Sequence, residues 1–444
     1  FAVEAHKALV RGVEQRAYNY GVTAESCGDP DATTANGRVL TDRERSQRRD
    51  LVEAVQAKGY AEVMEEAAYT WFNRFIALRY MELNDYLPTH VRVFSNAAGA
   101  FEPEILREAL HLDLPGLDRQ RVAGHIEQNE TGDLYRYLLL TQCNALGEAL
   151  PQLFERISGY TELLCPDNLL RPDSVLANMV NTIPEADWAD QVQIIGWMYQ
   201  YYNTEVKAET FDLLKKNVKV SKERIPAATQ LFTPEWIVRY MVENSLGRLF
   251  LEEGGQLPAG GDESAHPEAE RRAAAELGWR YYLPEAEQPP EVRAALAGQK
   301  AGPLDVTALK VLDPCMGSGH ILVYAFDVLL QIYEKLGWNR RDAVASIVQN
   351  NLYGLEIDKR AVQLAYFAVM MKARQYDRRF LTRGIQPHLL DIPETGSLTT
   401  QPMHDMGIGL APEEYSAAAK GAVELLDIFR DGKEYGSLLR VRPM

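Results

Sequence analysis

The residues most able to do chemistry lie in Asp313-Pro314-Cys315-Met316-Gly317-Ser318-Gly319, between a short apolar run at Ala308–Leu312 and an apolar stretch at Gly319–Leu336. In a parallel α/β sheet that position is the carboxyl end of a strand, where ligands bind. The two glycines permit a tight turn and a close backbone approach. A phosphate loop needs Gly-Lys-Ser/Thr, and here His320 and Ile321 follow the glycines. A dinucleotide fingerprint needs Gly or Ala at the position that Leu322 occupies. Asp313 would repel a pyrophosphate and suits a cation, such as the ammonium and sulfonium of S-adenosylmethionine. A second acid, Glu356, ends Leu352-Tyr353-Gly354-Leu355 and can accept hydrogen bonds from both hydroxyls of a ribose. Asp358 is expected to cap the helix after it. Asp391, after a third strand pattern at Pro387–Leu390, reads either as a further ligand-facing acid or as an exposed turn residue before Pro393.

These groups need a frame. Strand, helix, strand and helix at Ala308–Leu312, Gly319–Leu336, Leu352–Leu355 and Asp358–Arg374 predict a parallel sheet with right-handed crossovers. Residues 1–220 read as a mostly helical domain. Apolar residues recur at three- and four-residue steps in Ala67–Leu87, Leu134–Ile157 and Gln191–Phe211. A second domain, residues 221–444, opens with a helix over Thr233–Leu249, with Thr233 as its cap and Pro234 in its first turn. Residues 252–305, rich in Gly, Pro, Ala and Glu, read as a surface insertion with one or two short helices. Two basic runs stand out. Residues 215–224 read as a solvated linker or a phosphate-contacting hinge, and Arg43–Arg49 as an exposed helix face.

Composition narrows the classes. The 444 residues suffice for two or three domains, and 46% are apolar, enough to bury real cores. No run of about 18 apolar residues appears, so no membrane span is expected. Cys27, Cys143, Cys165 and Cys315 are far apart without CxxC spacing, which speaks against a zinc site or a disulfide framework and for a reducing cytoplasm. A net charge of −16 argues against a nucleic-acid surface spread over the whole chain.

Asp-Pro-x-x-Gly-Ser-Gly resembles the first motif of the amino-group DNA methyltransferases, above all the N6-adenine enzymes. Gln230-Leu231-Phe232-Thr233-Pro234 resembles the motif by which they hold the cofactor's carboxylate, and the motif order is that of the gamma class. The segments 70–88, 194–203, 228–247, 313–329 and 350–374 are together similar to the PglX family, the adenine-specific methyltransferases of BREX phage-defence systems. The resemblance implies a helical amino-terminal domain followed by a Rossmann-like S-adenosylmethionine-dependent domain, incomplete at its C-terminus. It implies that Phe232, Thr233 and Pro234 hold the methionine end of S-adenosylmethionine. Asp313, Pro314, Met316, Gly317 and Gly319 would line the methionine and ribose. Glu356 would take the ribose, Ile357 would pack on the adenine, and Asp391 would meet the adenine amino group. The family's catalytic tetrapeptide, Asn/Asp/Ser-Pro-Pro-Tyr/Phe, does not occur. Pro289-Pro290 has the wrong flanks and precedes the glycine loop. The expectation is therefore a fragment that holds the methyl donor, with the catalytic motif and most contacts to double-stranded DNA beyond Met444, and with other BREX components as partners. Two other readings stay open: a methyltransferase acting on RNA or protein, and a cofactor-binding scaffold without catalysis.

Overall fold

A computed structural model describes residues 1–441 except 156–158, 190, 222–223, 230–231, 254–265, 287, 298–303, 394 and 396–411. Helices dominate, and the described strands are few: a two-residue hairpin, β1 (Thr34–Ala35) and β2 (Arg38–Val39), and a three-stranded parallel sheet, β3 (Val311–Asp313), β4 (Leu352–Glu356) and β5 (His388–Asp391), in that spatial order. The hairpin was not visible in the sequence pattern.

The helical part is organised round a 24-residue helix. α1 (Ala2–Asn19) and α2 (Asp42–Lys58) both pack on α3 (Tyr60–Leu83). Thr41 and Glu44 form a reciprocal capping box at the start of α2. The apolar stripe expected over Ala67–Leu87 is a helix that is buried on all sides, so its charged residues are internal. Arg79 and Glu82 are paired with no side-chain exposure, and Glu82 also accepts from the amides of Val93 and Phe94, each at 2.8 Å. Losing one member of such a pair costs about 3–5 kcal/mol, because the other is left buried and uncompensated.

Three other helical expectations change. α4 (Thr131–Leu146) stops eleven residues before Ile157, because Gly147 lies tight against the Phe154 carbonyl and Pro151 lies in the turn that follows. Gln191–Phe211 splits into α5 (Gln193–Tyr202) and α6 (Thr204–Lys215). The basic face at Arg43–Arg49 is not plainly exposed: Arg48 is buried and donates to the carbonyls of Tyr20, Asp29 and Cys27.

In the second half, α7 (Glu235–Val242) runs through a π-helical turn at Glu243–Gly247 into Arg248–Glu253. Thr233 does not cap it. Pro234, extended at ψ 142°, stands at the cap position, and its carbonyl accepts from the amides of Ile237 and Val238. Part of 252–305 lies outside the described residues. Within it a helix at His266–Glu276 leads to Trp279, which is buried against Gly247 and donates to Gln331 at 2.8 Å. That portion is anchored in the core rather than laid on the surface. β3 is shorter than the apolar run because residues 305–308 form a turn closed by Asp305.

α8 (His320–Lys335), α9 (Arg340–Ser346) and α10 (Lys359–Tyr376) pack on one another, and α8 and α10 cover one face of the sheet. That face buries Leu352 and Leu389. The opposite face presents Leu312 and Leu390, 57% and 59% exposed. α10 packs against α3 and α5, so the helical part and the sheet part share one core. Leu322, Phe326 and Leu329 of α8, and Leu364, Phe367 and Met371 of α10, fill it; truncation of any of these to Ala costs about 2–5 kcal/mol.

Gly319 is a tight joint between the glycine loop and α10. It sits at φ +83°, and a Cβ there would lie 3.0 Å from both Cα and Cβ of Ala365 on α10. Gly319→Ala is expected to destabilise the chain by about 1–3 kcal/mol. Urea denaturation would show this as a lower midpoint at unchanged slope.

Candidate functional site at the strand ends

The parallel register brings the three strand-end acids together. Asp313 pairs with Gly354, and Glu356 pairs with Asp391, at the carboxyl ends of adjacent strands. Asp313 is buried; its Oδ1 accepts the Cys315 amide at 3.2 Å, and its Oδ2 is buried with no partner among the described residues. Burial pushes its carboxyl up from the ordinary aspartate value; the Cys315 amide opposes this and the nearby Glu356 charge adds to it. A buried carboxylate oxygen without a partner costs about 1–3 kcal/mol or more, so a cation or other donor brought to it removes a standing penalty.

The glycine loop is stitched to β4 by its backbone. The Met316 amide donates to the Leu355 carbonyl at 3.0 Å, and the Gly317 amide donates to Glu356 Oε2 at 2.8 Å. Glu356 Oε1 accepts from the amides of Ile357, at 2.8 Å, and Asp358, at 3.1 Å. A carboxylate offers about four acceptor positions, so with these three amides in place about one remains. Gly317, at φ +52°, has nothing within 4 Å of where a Cβ would stand, so its flank is open. The Met316 side chain is buried beneath the loop against Gly354, which leaves its backbone, not its thioether, near the strand ends. Pro314 is exposed, and Ile357 and Asp391 are half-buried at the rim.

Phe232, Thr233 and Pro234 reach the same loop from the other side; Gln230 and Leu231 of their motif lie outside the described residues. Phe232 stacks on His320 with centroids 4.7 Å apart and planes at 17°. His320 Nδ1 donates to the Thr233 carbonyl at 3.0 Å, which places its proton on Nδ1 and leaves Nε2 as an acceptor. Burial lowers its basicity, outweighing the Thr233 hydrogen bond and the Glu235 charge, so the ring is neutral near pH 7. Helix α5 closes this edge. Gly196 is the only residue type that fits there, because a Cβ would lie 2.7 Å from the Phe232 ring and 2.9 Å from Ser318 Oγ. A void of about 10 Å³ remains between Gln193, Gly196, Phe232, Ser318 and His320, room for about one water. A larger cavity, about 220 Å³, lies in the helical part between Glu82, Asp85, His90, Arg92 and Glu104, and none of the strand-end acids lines it.

The structure thus gathers Phe232, Thr233, Asp313, Gly317, Gly319, Glu356 and Asp391 round one set of strand ends. Two contributors were not picked out from the sequence. His320 entered only as a residue that was not lysine, and its spacing predicts neither the stack on Phe232 nor the hydrogen bond to Thr233. Gly196 lies in a segment similar to the PglX family, but the pattern does not reveal that α5 touches the glycine loop. Asp358 does cap α10: its Oδ1 accepts the Arg360 amide at 3.0 Å. In the basic run at 215–224, Lys215 pairs with Asp212, Lys219 with Glu434 and Arg224 with Glu209. Among the described residues there is no cluster of His, Cys, Asp or Glu able to hold a metal ion, and no helix long and apolar enough to cross a membrane.

Comparison with known proteins agrees with the motifs. Residues 304–401, which include β3, the glycine loop, β4 and β5, match the family described as MmeI, DNA-methyltransferase domain. The chain is 37% identical to the adenine-specific methyltransferase PglX of Lacticaseibacillus casei (strain Zhang), over 99% of this chain and 37% of that protein. It is 42% identical to the adenine-specific methyltransferase BrxX of Escherichia coli O9:H4 (strain HS), over 89% of this chain and 32% of that protein. The strand-end acids, glycine loop and aromatic-Thr-Pro segment all converge in a chain that is similar to the PglX and BrxX adenine-specific methyltransferases and spans about a third of their length.

Proposed function

We propose that this chain is the methyl-donor-binding part of a site-specific N6-adenine DNA methyltransferase of a BREX phage-defence system. On this reading residues 1–220 are a helical domain, and residues 221–444 are part of a Rossmann-like methyltransferase domain. The observation that carries it is the buried Asp313 Oδ2, without a partner among the described residues, one strand away from Glu356. This pairing of a cation acceptor with a hydroxyl acceptor fits S-adenosylmethionine, whose methionyl end carries an ammonium and whose nucleoside carries two ribose hydroxyls.

When bound, S-adenosylmethionine supplies an electrophilic methyl group on a sulfonium. The chain's residues do the holding. Asp313 would take the ammonium through its unpartnered oxygen. Glu356 would take one ribose hydroxyl at its open position; a second would replace the Gly317 amide, and the open flank of Gly317 leaves it room to turn aside. Asp391, beside Glu356, would accept from the adenine amino group, and Ile357 would pack on the ring. Phe232, Thr233 and Pro234, held by His320, would close over the methionine end. The acceptor adenine and the residues that grip it belong to the whole enzyme, as do double-stranded DNA and other BREX components as partners and a cytoplasmic setting. The reaction is direct transfer to N6, driven by positioning and the exclusion of water.

Calorimetry of the chain with S-adenosylmethionine tests the pocket. Asp313→Ala and Glu356→Ala should each weaken binding by about 10–100-fold, the value of hydrogen bonds to a charged group. Unchanged affinity in both would overturn the assignment. The pH dependence follows from Asp313. Its carboxyl must be ionised to hold an ammonium, and its pKa is raised. Affinity should therefore begin to fall, as pH is lowered, above the value of about 3.9 expected of an ordinary aspartate. Asp313→Asn should abolish that fall. For the whole enzyme, N6-methyladenine should appear in host DNA when the gene is present and be absent when it is deleted, read by sequencing of modified bases.

A further inference from the structure

The helical part reaches the strand ends by a second route, through the buried Tyr199 and Asp358. Tyr199 of α5 donates its hydroxyl to Asp358 Oδ2 at 2.9 Å. Arg360 binds the same carboxylate with two hydrogen bonds, Nε to Oδ1 at 2.9 Å and Nη2 to Oδ2 at 3.1 Å. The guanidinium lies over the ring of Tyr69 from α3, at 4.9 Å, and Tyr69 meets Tyr199 edge to face. Asp358 therefore has its carboxylate gripped by α5 and by its own helix, while its amide, with that of Ile357, holds Glu356 Oε1. Tyr199 is two hydrogen bonds from the Glu356 carboxylate, through one residue that cannot rotate.

We propose that Tyr199 is a positioning residue for the donor pocket: by fixing Asp358 it aims Glu356 at the ribose hydroxyls, so the helical part sets cofactor affinity without touching the cofactor. This rests on the reading of Glu356 as the ribose acceptor. The geometry favours it over a purely structural role for the hydroxyl. Tyr199 lies in the α5 core with Tyr69 beside it, so Phe would fill the same space and keep the packing. What Phe removes is the hydroxyl's hydrogen bond to Asp358, which links α5 to the Glu356–Asp358 turn. Burial holds the Tyr199 hydroxyl far above its ordinary pKa, so it remains a donor throughout the working pH range.

The test compares Tyr199→Phe with the unaltered chain in binding S-adenosylmethionine and its 2′,3′-dideoxy analogue, with hydrogen exchange read at the amides of Ile357 and Asp358. In the unaltered chain the ribose-bearing ligand should bind at least about tenfold more tightly, the value of a hydrogen bond to a charged group. In Tyr199→Phe that preference should shrink several-fold, with little change for the dideoxy analogue, and both amides should exchange faster. A lesion that merely loosened the fold would weaken both ligands alike. An unchanged preference with unchanged exchange would overturn the proposal. Tyr199→Leu serves as the packing control: if it and Tyr199→Phe lose affinity for both ligands equally, the role is structural and the proposal fails. Should the unaltered chain show no preference for the ribose, the reading of Glu356 falls instead; exchange at the two amides then still decides whether Tyr199 holds the turn.

Discussion

The Glu356 carboxylate is the knot that ties the strand ends together. It receives one amide from the loop after β3 and two from the turn after β4, so two segments 39 residues apart in sequence share a single acceptor. Buried backbone donors must find partners, and here a side chain, not the ladder, provides them. The shape of the glycine loop follows from it. Gly317 turns its amide inward at positive φ, Met316 tucks its side chain under the loop, and Gly319 ends the turn against Ala365. The same carboxylate has about one acceptor position to spare, so a site that is structurally complete is also able to receive a donor from outside.

The helical part is more than a platform. Its central helix carries an internal ion pair and packs directly on α10, and α5 threads between α10 and the Phe232 segment. A surface helix would place Arg79 and Glu82 in water. Here Ser95, Val93 and Phe94 add hydrogen bonds to the pair, though Arg79 Nε is left without a partner among the described residues. Such an arrangement fixes the direction of α3, and through it the distance of α5 from the strand ends.

Much of the site was legible because its chemistry is local. Asp313 with its two glycines, and Glu356 with Asp358, each read as a strand end followed by a helix start, and the parallel register then put the acids side by side. The helix boundaries at His320–Lys335 and Lys359–Tyr376 fell within about two residues of the pattern. What was hidden depends on contacts distant in sequence. Thr233 read as a helix cap because Thr-Pro usually is one, but its carbonyl is taken by His320 and the chain stays extended through Pro234. The low-complexity character of 252–305 masked Trp279, a single large residue whose burial anchors that stretch. Arg48 looked like its basic neighbours, and only the fold shows three carbonyls converging on it. Periodicity reports which faces are apolar; it does not report which polar residues the rest of the chain will enclose.

Among the described residues, α8 and α10 pack on the same face of the sheet. On the other, Leu312 and Leu390 flank the half-buried Tyr353 and Leu355, and β3 has no further neighbour among the described residues. An open strand edge beside an apolar row is a template for adhesion. In the handling of this stretch by itself, colloidal behaviour is governed by that face: the strong negative charge keeps copies apart in dilute buffer, and added salt, by screening it, favours clustering.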